Sequence, residues 1–142
     1  VADTLTSTTE ILQYLDLDNL EQKFKEESEY FTERRQNLKI KKRILVRDSA
    51  FARNFGLSDS ETTHHRILPA SEIMNSITYI YDNKTAYITL DKNLLIGVII
   101  TNNIISETNR IIFNTVWQTA KPFTQILPNS FPDPSAAPAS RN

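Results

Sequence analysis

Two adjacent histidines, His64 and His65, and a crowd of arginines and lysines are the side chains of this 142-residue chain with the most chemical reach. Neighbouring residues on a strand project to opposite faces, so the two imidazoles are not placed to share one metal ion or to work as an acid and its base. Cysteine is absent, which removes thiolate nucleophiles, disulfides and Cys-based metal sites. The chain has no Gly-rich phosphate loop, no Gly-x-Ser-x-Gly elbow and no His-Glu-x-x-His helix, so no cofactor and no metal are expected. The bases offer more. Arg43 or Arg47 on one strand, Arg66 on a neighbour and Lys84 at a hairpin are candidates to converge on one end of a sheet, where they would suit a small polar or anionic ligand. The plainer alternative makes each a rim cation paired with a nearby Asp or Glu.

The charge is unevenly spread. Net charge is −1, so the total gives no reason to expect nucleic acid or an anionic membrane as a partner. Residues 1–33 carry nine acids and two bases, whereas residues 34–47 carry seven bases. The first reading of that split is helix stabilisation, with acids early and Arg34 and Arg35 late along one helix, complementing its dipole. A phosphate-binding face is the second reading. No run reaches the roughly 18 apolar residues of a membrane span, and the polar, Thr-rich opening lacks the segments of a signal peptide, so a soluble, cytoplasmic protein is expected. A start at Val1 in place of Met reads as an artificial or processed boundary.

These side chains must be positioned by one core, since 142 residues at 39% hydrophobic content fit a single domain. The organising stretch is 77–120. Two β-rich runs flank Asp82-Asn83-Lys84, which predicts a tight hairpin. A nearly continuous Leu, Ile and Val run at 95–101 then predicts a strand covered on both faces. Residues 104–121 repeat apolar side chains at spacings of three and four after the capping pair Asn102 and Asn103. This predicts a broad-striped helix that covers the sheet and is the most buried of the helices. Upstream, 11–15 reads as a strand and 20–37 as a charged amphipathic helix capped by Asp16 or Asp18. A strand follows at 39–47, then a short helix at 48–55 capped by Asp48 or Ser49 and stopped by Gly56. His65-Arg-Ile-Leu before Pro69 reads as an edge strand. Residues 1–10 are expected to be an unstructured start, 11–121 the domain, and 122–142 a flexible Pro-rich tail onto which Phe123, Ile126 and Leu127 can dock.

The segments Tyr30-Phe-Thr-Glu-Arg-Arg, Ile40-Lys-Lys-Arg-Ile-Leu-Val, His65-Arg-Ile-Leu-Pro, Ile80-Tyr-Asp-Asn-Lys-Thr-Ala-Tyr-Ile and Ile96-Gly-Val-Ile-Ile are familiar in this order. With the helix Ile105-Ser-Glu-Thr-Asn-Arg-Ile-Ile-Phe-Asn-Thr-Val-Trp, they resemble the C-terminal domain of TrmB-like transcriptional regulators. That resemblance implies an α/β (α+β) phospholipase D-like half-domain, a mixed sheet packed by helices. It also implies a non-catalytic role in sensing a small polar or anionic, sugar-like ligand, in forming a homodimer, or both. DNA would be bound only through an N-terminal winged helix that is missing from this chain. Laid on the hairpin, the family's His-x-Lys-x₄-Asp motif falls on Asp82, Lys84 and Thr89, so the lysine survives and the nucleophilic histidine does not. Asp82 therefore joins Arg43, Arg47, Arg66 and Lys84 as a candidate ligand residue. The rival readings are a degenerate phosphodiesterase using Lys84, and a pure interaction domain using the charged helix at 20–37.

Overall fold

The computed structural model describes residues 2–91 and 93–123, apart from the side chains of 21–25. A 3-10 helix at Ala2–Thr6 precedes β1 (Ile11–Leu15), α1 (Leu17–Asn37), β2 (Lys42–Arg47), α2 (Ala50–Asn54) and β3 (Thr63–Leu68). β4 (Ser76–Tyr81), β5 (Lys84–Thr89), β6 (Gly97–Thr101), α3 (Asn103–Thr119) and β7 (Lys121–Pro122) follow. The strands form one mixed seven-stranded sheet in the order β6-β5-β4-β1-β2-β3-β7.

β1, β2 and β3 are parallel, and parallel neighbours need crossovers, which α1 and α2 supply. Leu17 and Leu20 of α1 and Ala52 of α2 pack with Ile11, Leu15, Ile44, Val46, Ile67 and Tyr79 on one face. Phe113 of α3 packs with Leu12, Leu45 and Ile80 on the other face. The three layers bury β1 on both sides, which explains its Ile-Leu-Gln-Tyr-Leu run without alternation. Leu45 and Ile80 are fully enclosed, and truncating either to Ala costs about 2–5 kcal/mol. No helix among the described residues is long and apolar enough to cross a membrane.

Local signals hold at several joints. The Ser49 hydroxyl accepts from Ala52 N–H at 2.9 Å, Gly56 leaves α2 with φ +79°, and the Asn102 side chain accepts from Ile105 N–H at 3.0 Å. Asp16 stands at the N-cap of α1 without capping it, because its carboxylate is drawn to Arg47 instead. The β4–β5 turn forms as expected, with the positive φ of 46° on Asp82.

Three expectations change. β6, expected to be covered on both faces, is the outer strand of the sheet, and Val98 and Ile99 are about half exposed. α3 covers the sheet with one stripe only: Ser106 and Phe113 are buried while Ile104, Ile111 and Ile112 face solvent. The opening residues take regular structure, with Thr4 buried and Asp3 held by Tyr81 and Lys84. At the other end, Phe123 does pack on the α1 face, while Ile126, Leu127 and the expected tail lie outside the described residues.

Candidate functional site

A cavity of about 940 Å³ lies between α1 and the sheet. Its walls are apolar, from Leu15, Leu20, Ile77 and Ile88, but its floor is not. Strand alternation puts Gln13, Lys42, Thr63, His65 and Tyr79 on the face beneath α1, and the register sets them side by side. Tyr79 is opposite Gln13, Gln13 opposite Ile44, Ile44 opposite His65, and Lys42 opposite Thr63. Arg35 reaches down onto this floor from the last turn of α1.

Gln13, Arg35, Thr63 and His65 are all buried to 6% exposure or less, so their polar atoms need partners within the fold, from water in the cavity or from a ligand. Arg35 donates through one terminal nitrogen to the Ile40 carbonyl at 2.7 Å and through the other to the Thr63 hydroxyl at 2.7 Å. Its Nε and the Oε1 of Gln13 are buried with no hydrogen-bond partner among the described residues. The Lys42 ammonium stands 5.5 Å from the centroid of the Tyr79 ring. Burial, with a further push from Arg35, brings the Lys42 pKa down to about 7, and burial raises that of Tyr79 to about 12.

His65 is steered by Asp59, whose carboxylate accepts from the His65 backbone N–H at 2.8 Å and lies 3.1 Å from its Nδ1. Burial lowers the His65 pKa against the pull of Asp59. Burial opposes ionisation of Asp59, but its hydrogen bonds from His65 and His64 outweigh that and hold it below the usual carboxylate range. A neutral His65 facing an ionised Asp59 carries its proton on Nδ1 and leaves Nε2 as an acceptor. His64 Nδ1 reaches the same carboxylate at 3.4 Å, so a shared acid links the two imidazoles even though they start on opposite faces.

The five residues singled out from the sequence do not form one cluster. Arg43 and Arg66 do meet, on the α3 face, where their guanidinium carbons lie 5.2 and 4.8 Å from the Trp117 ring centroid. Arg43 also pairs with Glu10 at 3.0 Å and bonds Asn114, and Arg66 donates to the Trp117 carbonyl. Arg47 is committed to Asp16 at 2.6 Å and Asp18 at 2.8 Å. Lys84 pairs with Asp3 at 2.8 Å toward the β6 end of the sheet. The Asp82 carboxylate accepts from the backbone N–H groups of Thr8 and Thr9 at 3.0 and 3.1 Å. Parity puts Arg43, Arg47 and Arg66 on the face opposite Lys42 and His65, while Lys84, opposite Tyr81, lies on the α1 face three strands away from β2, so the expected convergence with Lys84 fails.

The cavity residues were legible in part. A glutamine inside the apolar run of β1 is a local inconsistency that marks a buried polar position. Lys42 shares strand parity with Ile40, Ile44 and Val46, which sets it apart from Lys41, Arg43 and Arg47, whereas nothing local separates Arg35 from Arg34 beside it.

No family model matches the chain, and no curated protein matches it either. Among solved structures it is similar to TrmBL2, an archaeal chromatin protein whose structure shows a novel mode of DNA binding, with a TM-score of 0.56 and 18% identity. The match covers 84% of this chain and 48% of that one, so the chain spans about half the length of this relative. At that identity the likeness is one of fold, a mixed sheet with helices on both faces.

Proposed function

We propose that this chain is a non-catalytic regulatory module of a TrmB-like transcriptional regulator, a phospholipase D-like half-domain acting in the cytoplasm, and that the cavity under α1 receives its ligand. The observation that carries this reading is the cavity floor, where Gln13 Oε1 and Arg35 Nε are buried with no partner among the described residues. Native folds rarely leave such groups unpaired, since each costs about 1–3 kcal/mol. The fold likeness to TrmBL2, which binds DNA, supports a regulatory setting. On this reading DNA contact belongs to a part of the protein outside this chain. A small-molecule sensor raises its own stability on binding, by about 2.7 kcal/mol at 100 times the Kd. A panel of sugars and sugar phosphates should therefore contain at least one compound that raises Tm, and Gln13→Leu should abolish the shift. A panel without effect on Tm would end the sensing role. Catalysis is outside the reading because Asp82 and Lys84 are already engaged with residues 3–9. Phosphodiester hydrolysis that disappears in Lys84→Ala would overturn that point.

A second role, self-association, is favoured by the open edge of the sheet. Val98 and Ile99 of β6, Leu94, Leu95 and Ile96 before it, and Ile105 and Ile112 of α3 are each 41–63% exposed. α3 leans over this edge, since Asn109 donates to Thr85 and Tyr87 of β5. A second copy is the natural occupant, because two identical edge strands can pair antiparallel about a two-fold axis and satisfy each other's free N–H and C=O groups. Light scattering should give the mass of a dimer, and a monomer at high micromolar concentration would remove this role.

A further inference from the structure

We propose that the cavity beneath α1 is built for a small hydroxylated anion, a sugar acid or sugar phosphate, with Arg35 and Lys42 holding its charge and Gln13 and His65 accepting from its hydroxyls. The inference rests on the sensing role above and narrows its ligand.

Charge balance is the first ground. Two cations, the buried Arg35 and the half-buried Lys42, line one cavity, and among the described residues neither is paired with a carboxylate: Arg35 bonds only oxygens of Ile40, Thr62 and Thr63, and the Lys42 ammonium has the Tyr79 ring. A buried cation without a counter-charge is costly, and removing one partner of a buried pair leaves this same arrangement. Guanidinium and ammonium groups have only hydrogens to offer, so what the floor lacks is an acceptor bearing negative charge. Among the described residues the carboxylates that line the cavity, Glu27, Glu29 and Glu33 of α1, are exposed and screened by water, and they do not offset the burial of Lys42.

The second ground is the complementary lack. Gln13 Oε1 is an acceptor without a donor among the described residues, and His65, with Nδ1 given to Asp59, presents Nε2 as another. An anion without hydroxyls, such as sulfate or chloride, would satisfy the cations and leave these two unmet, whereas hydroxyls on the same molecule satisfy both sets. The volume of about 940 Å³ is ample for a substituted hexose.

Protonation supplies a readout. The charged groups facing Lys42 are Arg35 from α1 and, when protonated, His65 from β3; Tyr79 from β4 stays neutral, and the three glutamates stand at the mouth. Because the free protein holds Lys42 near its midpoint at neutral pH, an anion beside it should draw a proton from solvent.

Thermal shift and calorimetric titration of the full chain with gluconate, glucose 6-phosphate and neutral glucose test the inference. One of the two anions should raise Tm and bind at least tenfold more tightly than glucose. Its binding should take up a proton at pH 8, measured in buffers of different ionisation enthalpy, and its affinity should weaken toward tenfold per pH unit above pH 8. Lys42→Met and Gln13→Leu should each lose the shift while keeping the far-ultraviolet circular dichroism of the parent. Preference for gluconate or for glucose 6-phosphate tells carboxylate from phosphate. Equal shifts by glucose and the anions, without proton uptake, would overturn the anionic ligand and leave the sensing role standing. No shift with any of the three would overturn the inference, and only a null result across the wider sugar panel would end the sensing role as well.

Discussion

Gln13 lies on the central strand at 2% exposure with a carbonyl that has no partner among the described residues. Gln13→Leu removes that group at similar volume and should raise the stability of the free protein by about 1 kcal/mol, roughly 3 °C in Tm for a chain of this size. A loss of stability on that change would mean that the side chain is a structural member. Arg47 behaves in the opposite way. Its guanidinium is the counter-ion of Asp16, whose side chain is 1% exposed, so Arg47→Met leaves a buried carboxylate with no counter-charge and, among the described residues, only the Met74 N–H at 3.3 Å, and should cost about 3–5 kcal/mol by urea unfolding. Adding Asp16→Asn should restore much of that loss, and full additivity of the two changes would argue against the pair. From the sequence, Asp16 reads as a helix cap and Arg47 as a ligand residue. Each reading is locally sound, and the tertiary pairing of β2 with the start of α1 overrides both.

At the scale of elements, what could be read was what depends on neighbours in sequence. Ser49, Gly56 and Asn102 act through bonds within a few residues, so the ends of α2 and α3 were visible in composition. The place of β6 was not, because an apolar run looks the same whether its own chain or another chain covers it. The same ambiguity hid the two faces of α3, whose stripe at 104–112 is as apolar as its buried stripe. The cavity was hidden for a related reason, since parity sets Lys42 with Ile44 and Val46 but the pairing of β1, β2 and β3 decides which residues stand beside it. Placing Lys at Val98 and Ile99 together tests the element directly. Charged edge strands are well tolerated in folded monomers, so circular dichroism should be unchanged while the light-scattering mass falls by half. A dimer that survives both lysines would move the interface elsewhere.

For the whole molecule, the buried ionisable groups set the shape of stability against pH. Lys42 has its folded pKa depressed to about 7, while the unfolded chain keeps the ordinary value near 10.5. Between those values the unfolded state binds the extra proton, so stability should rise with pH, by at most about 1.4 kcal/mol per pH unit. Tyr79 acts in the other direction, because its folded pKa is raised to about 12 and its stabilising effect is lost as pH climbs past the ordinary tyrosine value of 10.0. Tyr81, raised by burial and then by Asp3, adds to that fall. On the acid side His65 is held neutral by burial, and unfolding lets it take a proton below about pH 6.5. Asp3, Asp59 and Asp82 have lowered pKa values, so their contribution is complete above 3.8 and disappears as pH falls through the folded values. Denaturant midpoints from pH 5 to 11 should therefore climb through neutrality, peak between pH 9 and 10 and decline above, far from the sequence pI of about 6.1. Lys42→Met should flatten the climb between pH 7 and 10 and spare the alkaline decline. If the parent and this variant traced the same curve, Lys42 would be an ordinary surface lysine and the cationic floor of the cavity would rest on Arg35 alone.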